Sequence, residues 1–291
     1  MALSKHSIGL IKNLKNKGLT IKNKEKFISF LFNYGVIRVI DGYSFFLKKD
    51  NQYVKGLKSK DLINFVLLDR KIANLMGDCI MLFEQQLNAI VVQNFLKINN
   101  LNSKYVIDMR TDPFIKFESP KHYEILSENI YTYANSSNLL SQFNTNAQEI
   151  PLINLALSWT LNTTIGFYRA VDNNVQISVL EYFQLNHITP LEFIDILHII
   201  KHFRNSISHN DMVITNSFND NVGAFAKSLK LKSIKKVVGF LDVVAFLTAF
   251  TNDKFHVLNG NLHIKILQAI KKAKFKGVVL EHINNLLGVE D

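Results

Sequence analysis

Apolar residues recur along much of the chain at steps of three and four, which is the spacing of one face of an α-helix. The longest such pattern covers Ser59–Ile98. Its apolar positions are Phe65, Leu68, Ile72, Leu75, Cys79 and Leu82. Shorter amphipathic helices are predicted over residues 7–17, where Gly18 ends the helix, and over residues 24–33. Period-two strands are scarce, and residues 255–263 are the best candidate for a short hairpin. The pattern therefore predicts an all-α fold.

The second half of the chain carries the strongest signal for a helix start. Thr189-Pro190-Leu191-Glu192 combines a capping box with proline at the first helical position. The helix that begins there is expected to run to about Ser206. Another helix is predicted to open at Pro151 and to continue toward Tyr168. Lysine-rich amphipathic helices are predicted over residues 223–250 and 262–287.

Turn signals divide this helical chain. They lie at Asp112-Pro113, at Ser119-Pro120 and in the polar loop of residues 172–174. We expect three segments: an N-terminal helical and aromatic segment (1–58), a helical core (59–216) and a lysine-rich helical extension (217–291).

Composition narrows the class of protein. Hydrophobic residues make up 47% and charged residues 20% of the chain, which is typical of a globular protein. The single cysteine, Cys79, excludes a disulfide framework. The N-terminus lacks an uninterrupted apolar stretch, and no run approaches the roughly 18 apolar residues of a membrane span. The most apolar stretches contain Glu84 and Asp242 and are interpreted as buried helices. We therefore expect a cytoplasmic protein without a membrane segment.

The charge points to a polyanionic partner. The formal net charge is +10, and the sequence pI is about 9.4. Of the 34 basic residues, five are arginines: Arg38, Arg70, Arg110, Arg169 and Arg204. In a chain that uses lysine almost everywhere, a retained arginine suggests a need for the planar five-donor guanidinium.

Arg204 is the arginine with the most unusual setting. It falls within the apolar stripe of its predicted helix, and a charge there is costly unless it is paired or serves a cleft. The stripe consists of Phe193, Ile196, Leu197, Ile200, Phe203 and Ile207. A continuous helix would place His209 roughly 140° from Arg204. The two side chains therefore converge only if the helix breaks after Ser206 or if a second copy of the chain completes the site.

These residues also carry a resemblance to known proteins. Arg204-Asn205-x3-His209, followed by Asn210, is similar to the Arg-Asn-x-x-x-His signature of HEPN-type ribonucleases. Residues 7–216 resemble the abortive-infection proteins of the AbiD/AbiF group. The supporting residues are Lys17-Gly18-Leu19-Thr20-Ile21, Asn33-Tyr34, Arg38, Gly42-Tyr43, Leu68-Asp69-Arg70-Lys71, Phe83-Glu84, Pro151, Trp159, Gly166 and Tyr168. The chain departs from the family in having Asn88 where a basic residue is frequent and Ser208 where alanine is common.

The resemblance implies a HEPN-type helical bundle with additional N- and C-terminal helices. It further implies a homodimer with a composite, metal-free RNase site that needs no cofactor. In such a site His209 would relay protons to or from the ribose 2′-hydroxyl and the leaving oxygen. Arg204 would stabilise charge on the phosphate, and Asn205 would orient the histidine or the phosphate.

Other charged residues have structural interpretations beside functional ones. Asp69 and Glu84 are expected to neutralise Arg204 or Arg70, with direct catalysis as the alternative, and which acid pairs with which arginine stays open. Asp195, His198 and His202 share one helix face, and the two histidines have a metal-ligand spacing. Because no fourth ligand is evident, a solvated or RNA-facing surface is favoured over a zinc site.

Clusters of lysine predict contacts with an RNA backbone. The candidates are Lys227, Lys230, Lys232, Lys235, Lys236, Lys271 and Lys272. We expect RNA both as the substrate and as a regulator, in the form of a small non-coding RNA that restrains a toxin-like RNase in phage defence. Two alternatives stay open: a non-catalytic RNA-binding module, and a toxin–antitoxin component regulated by a protein.

Overall fold

The structure is a computed structural model that describes residues 4–136, 140–143, 146–219, 222–230, 237–250 and 262–287. In chain order the helices are α1 (Lys5–Asn16), α2 (Lys24–Tyr34), α3 (Ser59–Ile98), α4 (Pro120–Ser136), α5 (Leu152–Leu155), α6 (Leu161–Ala170), α7 (Asn173–Tyr182), α8 (Pro190–Ser208), α9 (Val222–Ser228), α10 (Phe240–Phe250), α11 (Leu262–Lys272) and α12 (Val278–Leu287). Two antiparallel pairs of two-residue strands are also present: β1 (Lys48–Lys49) with β2 (Gln52–Tyr53), and β3 (Ser217–Phe218) with β4 (Val238–Gly239). The described residues further include a π-helical turn at Arg38–Gly42 and 3-10 turns at Tyr43–Leu47, Ser141–Phe143, Ala147–Glu149 and Ala156–Ser158. The predicted all-α class is confirmed.

The central element is α3, which has 40 residues and a length of about 60 Å. Helices α6, α7, α8 and α11 pack along it. By length and composition alone, α3 is also the one described helix that could cross a membrane. Its apolar face is buried among its neighbours, with Phe65, Ile72 and Phe83 fully covered. The predicted bounds of this helix agree with the structure.

One apolar cluster runs through the described chain. It includes Leu31 from α2, Phe83 from α3, Phe193 from α8 and Phe246 from α10. Burial of such side chains is the main favourable term in folding. The division of the chain at residues 58 and 216 remains a prediction.

Several predicted helix bounds were wrong because local capping signals interrupt the helices. Ser119-Pro120 begins α4 instead of a turn, since Ser119 Oγ accepts the backbone N–H of His122 at 3.1 Å. The helix predicted from Pro151 toward Tyr168 is split, because Thr160 caps a new helix by accepting the N–H of Thr163 at 3.3 Å.

The C-terminal predictions also need correction. Residues 223–250 do not form one helix, because α9 ends at Ser228 and β4 precedes α10. Residues 262–287 form α11 and α12, which are separated by a turn with Lys274 and Gly277 at positive φ. The predicted hairpin at residues 255–263 falls on residues 255–261, which lie outside the described chain, and its last two residues belong to α11.

Candidate active site

Helix α8 carries Arg204, and its N-terminus is stabilised by a capping box. Thr189 Oγ1 accepts the N–H of Glu192 at 3.2 Å, and the Glu192 carboxylate accepts the N–H of Thr189 at 2.7 Å. This is the predicted capping box. The Thr189 N–H and the ammonium of Lys227, 2.9 Å away, lower the pKa of Glu192. Lys227, a predicted RNA-binding residue, is therefore engaged in an ion pair that joins α9 to α8.

Arg204 lies at a surface cavity beside the buried stripe of α8. Phe193, Leu197 and Phe203 are fully buried, whereas the Arg204 side chain is 39% exposed. The guanidinium Nε lies 3.7 Å from Oε2 of Glu84 on α3. Arg204 thus forms an ion pair and also lines an open cavity. Either arrangement reduces the energetic cost of a charge on this face of the helix.

Glu84 is held between α3 and the start of α6. Its side chain is 15% exposed, and its Oε1 accepts the backbone N–H of Leu161. Burial raises the pKa of Glu84, while the charge of Arg204 and the Leu161 N–H oppose that rise. Glu84 is therefore placed as the counter-ion of Arg204, at a cost in desolvation.

The burial of Glu84 leads to a test of its role. Since the folded protein raises the pKa of Glu84, the native state holds its proton more tightly, and ionisation above the unfolded pKa lowers stability as pH rises. Glu84→Gln keeps an acceptor for the Leu161 N–H. We expect this variant to be at least as stable as wild type at pH 7, with the difference in unfolding free energy vanishing once acid neutralises Glu84. Urea unfolding of the variant and the wild type at pH 7 and pH 4.5 measures this difference in unfolding free energy.

RNA cleavage by the same variant should fall about tenfold, because Arg204 loses the charge that orients it. Glu118, whose side chain is 49% exposed, forms a matched ion pair with Arg169, and neither residue lines the Arg204 cavity. Glu118→Gln should change neither the unfolding free energy nor the rate of RNA cleavage. A Glu84→Gln protein with full cleavage activity would contradict the positioning role.

The cavity around Arg204 has a volume of about 340 Å³. Its wall is formed by α8 and by the start of α6, and it includes Lys201, Asn205 and Asn162. Lys201 Nζ donates to Asn162 Oδ1 at 2.9 Å, and burial lowers the pKa of this lysine. The cavity therefore presents one guanidinium, one ammonium and two amides, which are groups that bind phosphate oxygens. Lys201 and Asn162 were missed in the sequence, although Lys201 precedes Arg204 by one helical turn.

His209 lies at the other side of the helix end. Helix α8 continues to Ser208, two residues beyond the predicted end, and His209 is its C-cap, with its N–H donating to Asn205 O at 2.9 Å. The imidazole is exposed and does not line the Arg204 cavity. The helix does not break after Ser206, so the two side chains leave α8 about 140° apart in one copy.

Asp69 anchors the chain that follows His209. This fully buried carboxylate accepts the Tyr43 hydroxyl at 2.6 Å and the backbone N–H groups of Val213 and Ile214 at 2.8 and 2.9 Å. Arg70 donates to it at 2.5 and 3.1 Å. Burial raises the pKa of Tyr43, and the charge of Asp69 raises it further. Asp69 thus pairs with Arg70, and Glu84 pairs with Arg204.

Arg70 connects this anchor to the turn beside His209. It donates to Asn210 Oδ1 at 3.4 Å and to the carbonyl oxygen of Asp211. Burial acts to lower the pKa of Arg70, but the hydrogen bond and charge of Asp69 raise it overall. Asn210 has a φ of 59°, a left-handed conformation that asparagine tolerates well. Asp69 and Arg70 therefore hold the turn that follows His209 and, with it, the position of His209.

The two histidines with metal-ligand spacing have separate surroundings. His202 Nε2 lies 3.0 Å from Asn216 Oδ1, and Asn216 Nδ2 donates to Ser206 Oγ at 2.8 Å. His198 lines another cavity of about 250 Å³ with His122 and Arg169. Burial lowers the pKa of His198, and Lys201 adds to this effect. The described residues include no cluster of three His, Cys, Asp or Glu side chains that could hold a metal ion.

The remaining predicted RNA-binding lysines are spread over the C-terminal segment. Lys230 follows α9, and Lys271 and Lys272 end α11, all three with exposed side chains. Lys232, Lys235 and Lys236 lie outside the described residues. None of the four described lysines that were predicted to bind RNA, Lys227, Lys230, Lys271 and Lys272, lines the Arg204 cavity.

Comparison with known families gives one match. Residues 29–215 match a family described as Abi-like protein. Neither the curated proteins nor the solved structures include a match to this chain. The matched range contains α3 and α8, and with them Asp69, Glu84, Arg204 and His209. Because it covers more than half of the sequence, the chain belongs to the Abi-like family of abortive-infection proteins.

Proposed function

We propose that this protein is a HEPN-type endoribonuclease that acts in the cytoplasm during abortive infection. The observation that carries the proposal is the half-exposed Arg204, held by Glu84 in a cavity that Lys201 and Asn205 also line. A guanidinium in such a cavity is suited to bind two oxygens of one phosphate. Restraint of this activity by a small non-coding RNA is part of the same proposal.

The proposed reaction uses the ribose 2′-hydroxyl as nucleophile. One His209 removes the 2′ proton, and the 2′ oxygen then forms a bond to phosphorus while the bond to the 5′ oxygen breaks. The imidazolium of that His209 then passes its proton to the leaving oxygen, so the products are a 2′,3′-cyclic phosphate and a 5′-hydroxyl. Arg204 stabilises the charge that builds on the non-bridging oxygens. The need for a 2′-hydroxyl restricts cleavage to RNA.

The direction of the two side chains favours a composite site. Because α8 is continuous to Ser208, Arg204 and His209 of one copy diverge. A symmetric dimer presents each element twice and can place the histidine of one copy near the arginine of the other. We therefore propose a homodimer in which each arginine acts with the partner's histidine.

Mixing two inactive variants tests this arrangement. Arg204→Ala and His209→Ala proteins are each expected to be inactive, but random reassociation makes about half of the dimers mixed, and each mixed dimer has one intact pair. Activity should therefore return to about a quarter of the wild-type value. The measurement is cleavage of a labelled RNA before and after reassociation in mild denaturant. A mixture as inactive as its components would contradict the composite site.

A second candidate function is a non-catalytic RNA-binding module. The observation that favours it is the position of His209 outside the Arg204 cavity in a single copy. Such a module would bind RNA equally well in wild-type and His209→Ala form and would produce no new RNA 5′ ends in either case.

A further inference from the structure

A second cleft lies where the N-terminal ends of α2 and α3 meet. The backbone around Thr20 pairs with that before α3: Thr20 N–H donates to Leu57 O at 3.0 Å, and Ser59 N–H donates to Thr20 O at 2.8 Å. Asn23 caps α2 three residues later by accepting the N–H of Lys26 at 2.9 Å. Two helix N-termini, each with partial positive charge, therefore lie side by side.

Four lysines add full charges to these helix ends. Lys22, Lys26, Lys58 and Lys60 line the cleft, and all four are exposed. No acidic side chain among the described residues lines it, and none forms an ion pair with these lysines. Each first turn also carries one acidic residue, Glu25 in α2 and Asp61 in α3, but neither lines the cleft. The surface inside the cleft is therefore positive and suited to an anionic ligand.

The floor of the cleft is aromatic. Its volume is about 710 Å³, and its wall includes Phe30 and Tyr34, whose rings stack with centroids 4.4 Å apart and planes 22° apart. Tyr34 remains 37% exposed, which leaves ring surface available to a ligand. Aromatic rings beside lysines form the combination that binds unpaired bases and their phosphates.

We propose that this α2–α3 cleft binds a segment of single-stranded RNA outside the cleavage site. The phosphates contact the four lysines and the helix ends, and an unstacked base packs on Tyr34. Lys60 and Glu84 are both on α3, about 36 Å apart along its axis, so the cleft is separate from the Arg204 cavity. The choice of RNA over DNA rests on the proposed function, whereas the chemistry of the cleft requires only phosphates and an unpaired base.

Charge reversal in the cleft is the first test. The probe is a fluorescein-labelled 12-residue 2′-O-methyl uridine oligonucleotide, which lacks the free 2′-hydroxyl and is not cleaved, and the readout is fluorescence anisotropy of the full chain. The double variant Lys26→Glu/Lys60→Glu should raise Kd at least about tenfold. The control Lys24→Glu/Lys71→Glu changes exposed lysines on the same two helices outside the cleft and should raise Kd by about threefold or less.

Loss of stacking is the second test. Tyr34→Leu should raise Kd about tenfold, whereas Phe32→Leu, at an exposed ring of α2 outside the cleft, should not change it. Equal effects of cleft and control variants would overturn the proposal. The proposal would also be overturned if an oligothymidine DNA bound but the RNA probe did not. It would be overturned as well if a poly-glutamate peptide bound more tightly than the RNA probe. Since the probe cannot be cleaved, these outcomes do not depend on nuclease activity, and an inactive wild-type protein that binds through the cleft would refute only the nuclease.

Discussion

Alanine at His209 is expected to lower the rate of RNA cleavage by at least about 100-fold, the size of a lost general acid–base catalyst. Loss of the Arg204 guanidinium should cost about 100- to 1000-fold, because it removes the group that stabilises phosphate charge. Arg204→Lys is the sharper variant, since it keeps a positive charge near Glu84 but loses the planar pair of donors. Both proteins should keep the wild-type unfolding midpoint, because His209 is exposed and Arg204 half-exposed.

The measurement is cleavage of total RNA, with the new 5′ ends mapped and tested for a 5′-hydroxyl. His263→Ala is the matched control, since His263 is an exposed histidine on α11, far along the chain from α8. It should cleave like wild type. If His209→Ala and Arg204→Lys retained full cleavage with properly folded protein, the proposed active site would be wrong.

Replacement of Asp69 should have the largest effect on stability. Asp69→Ala leaves Arg70 and the N–H groups of Val213 and Ile214 without their acceptor in a buried setting. Breaking a buried charge pair from one side costs about 3–5 kcal/mol, a large share of the stability of a typical domain. Urea unfolding of the variant and the wild type at pH 7 measures the loss.

Asp78→Ala provides the control for that experiment, because Asp78 is an exposed aspartate on the same helix. It should change the unfolding free energy by no more than about 0.5 kcal/mol. Cleavage by Asp69→Ala should also fall, since Arg70, which holds the turn at Asn210 and Asp211, loses the carboxylate that orients it. An Asp69→Ala protein as stable as Asp78→Ala would show that the buried network does not hold the segment after α8.

The elements predicted correctly from the sequence depend on short-range patterns. The bounds of α3 and the start of α8 follow from apolar spacing and from a capping box that spans four residues. The same local signals were misassigned where they are ambiguous. Ser119-Pro120 fits both a turn and a helix start, and Thr160 resembles any polar residue inside an amphipathic pattern until its neighbours are placed.

Amino-acid sequence alone determined the helical class and the position of Arg204 between apolar residues of one helix, because both follow from residues within a few turns of one another. The excess of positive charge follows from composition. Only the tertiary structure decided that Glu84 faces Arg204, that Asp69 faces Arg70, and that lysines from α2 and α3 share one cleft. Glu84 and Arg204 are on different helices, as are lysines of the cleft. Asp69 and Arg70 are adjacent, but both contact the segment of residues 210–214, which is far along the chain. Their contacts depend on how α3 packs against α2, α6 and α8, and the periodicity of a single helix carries no information about the neighbour that will cover it.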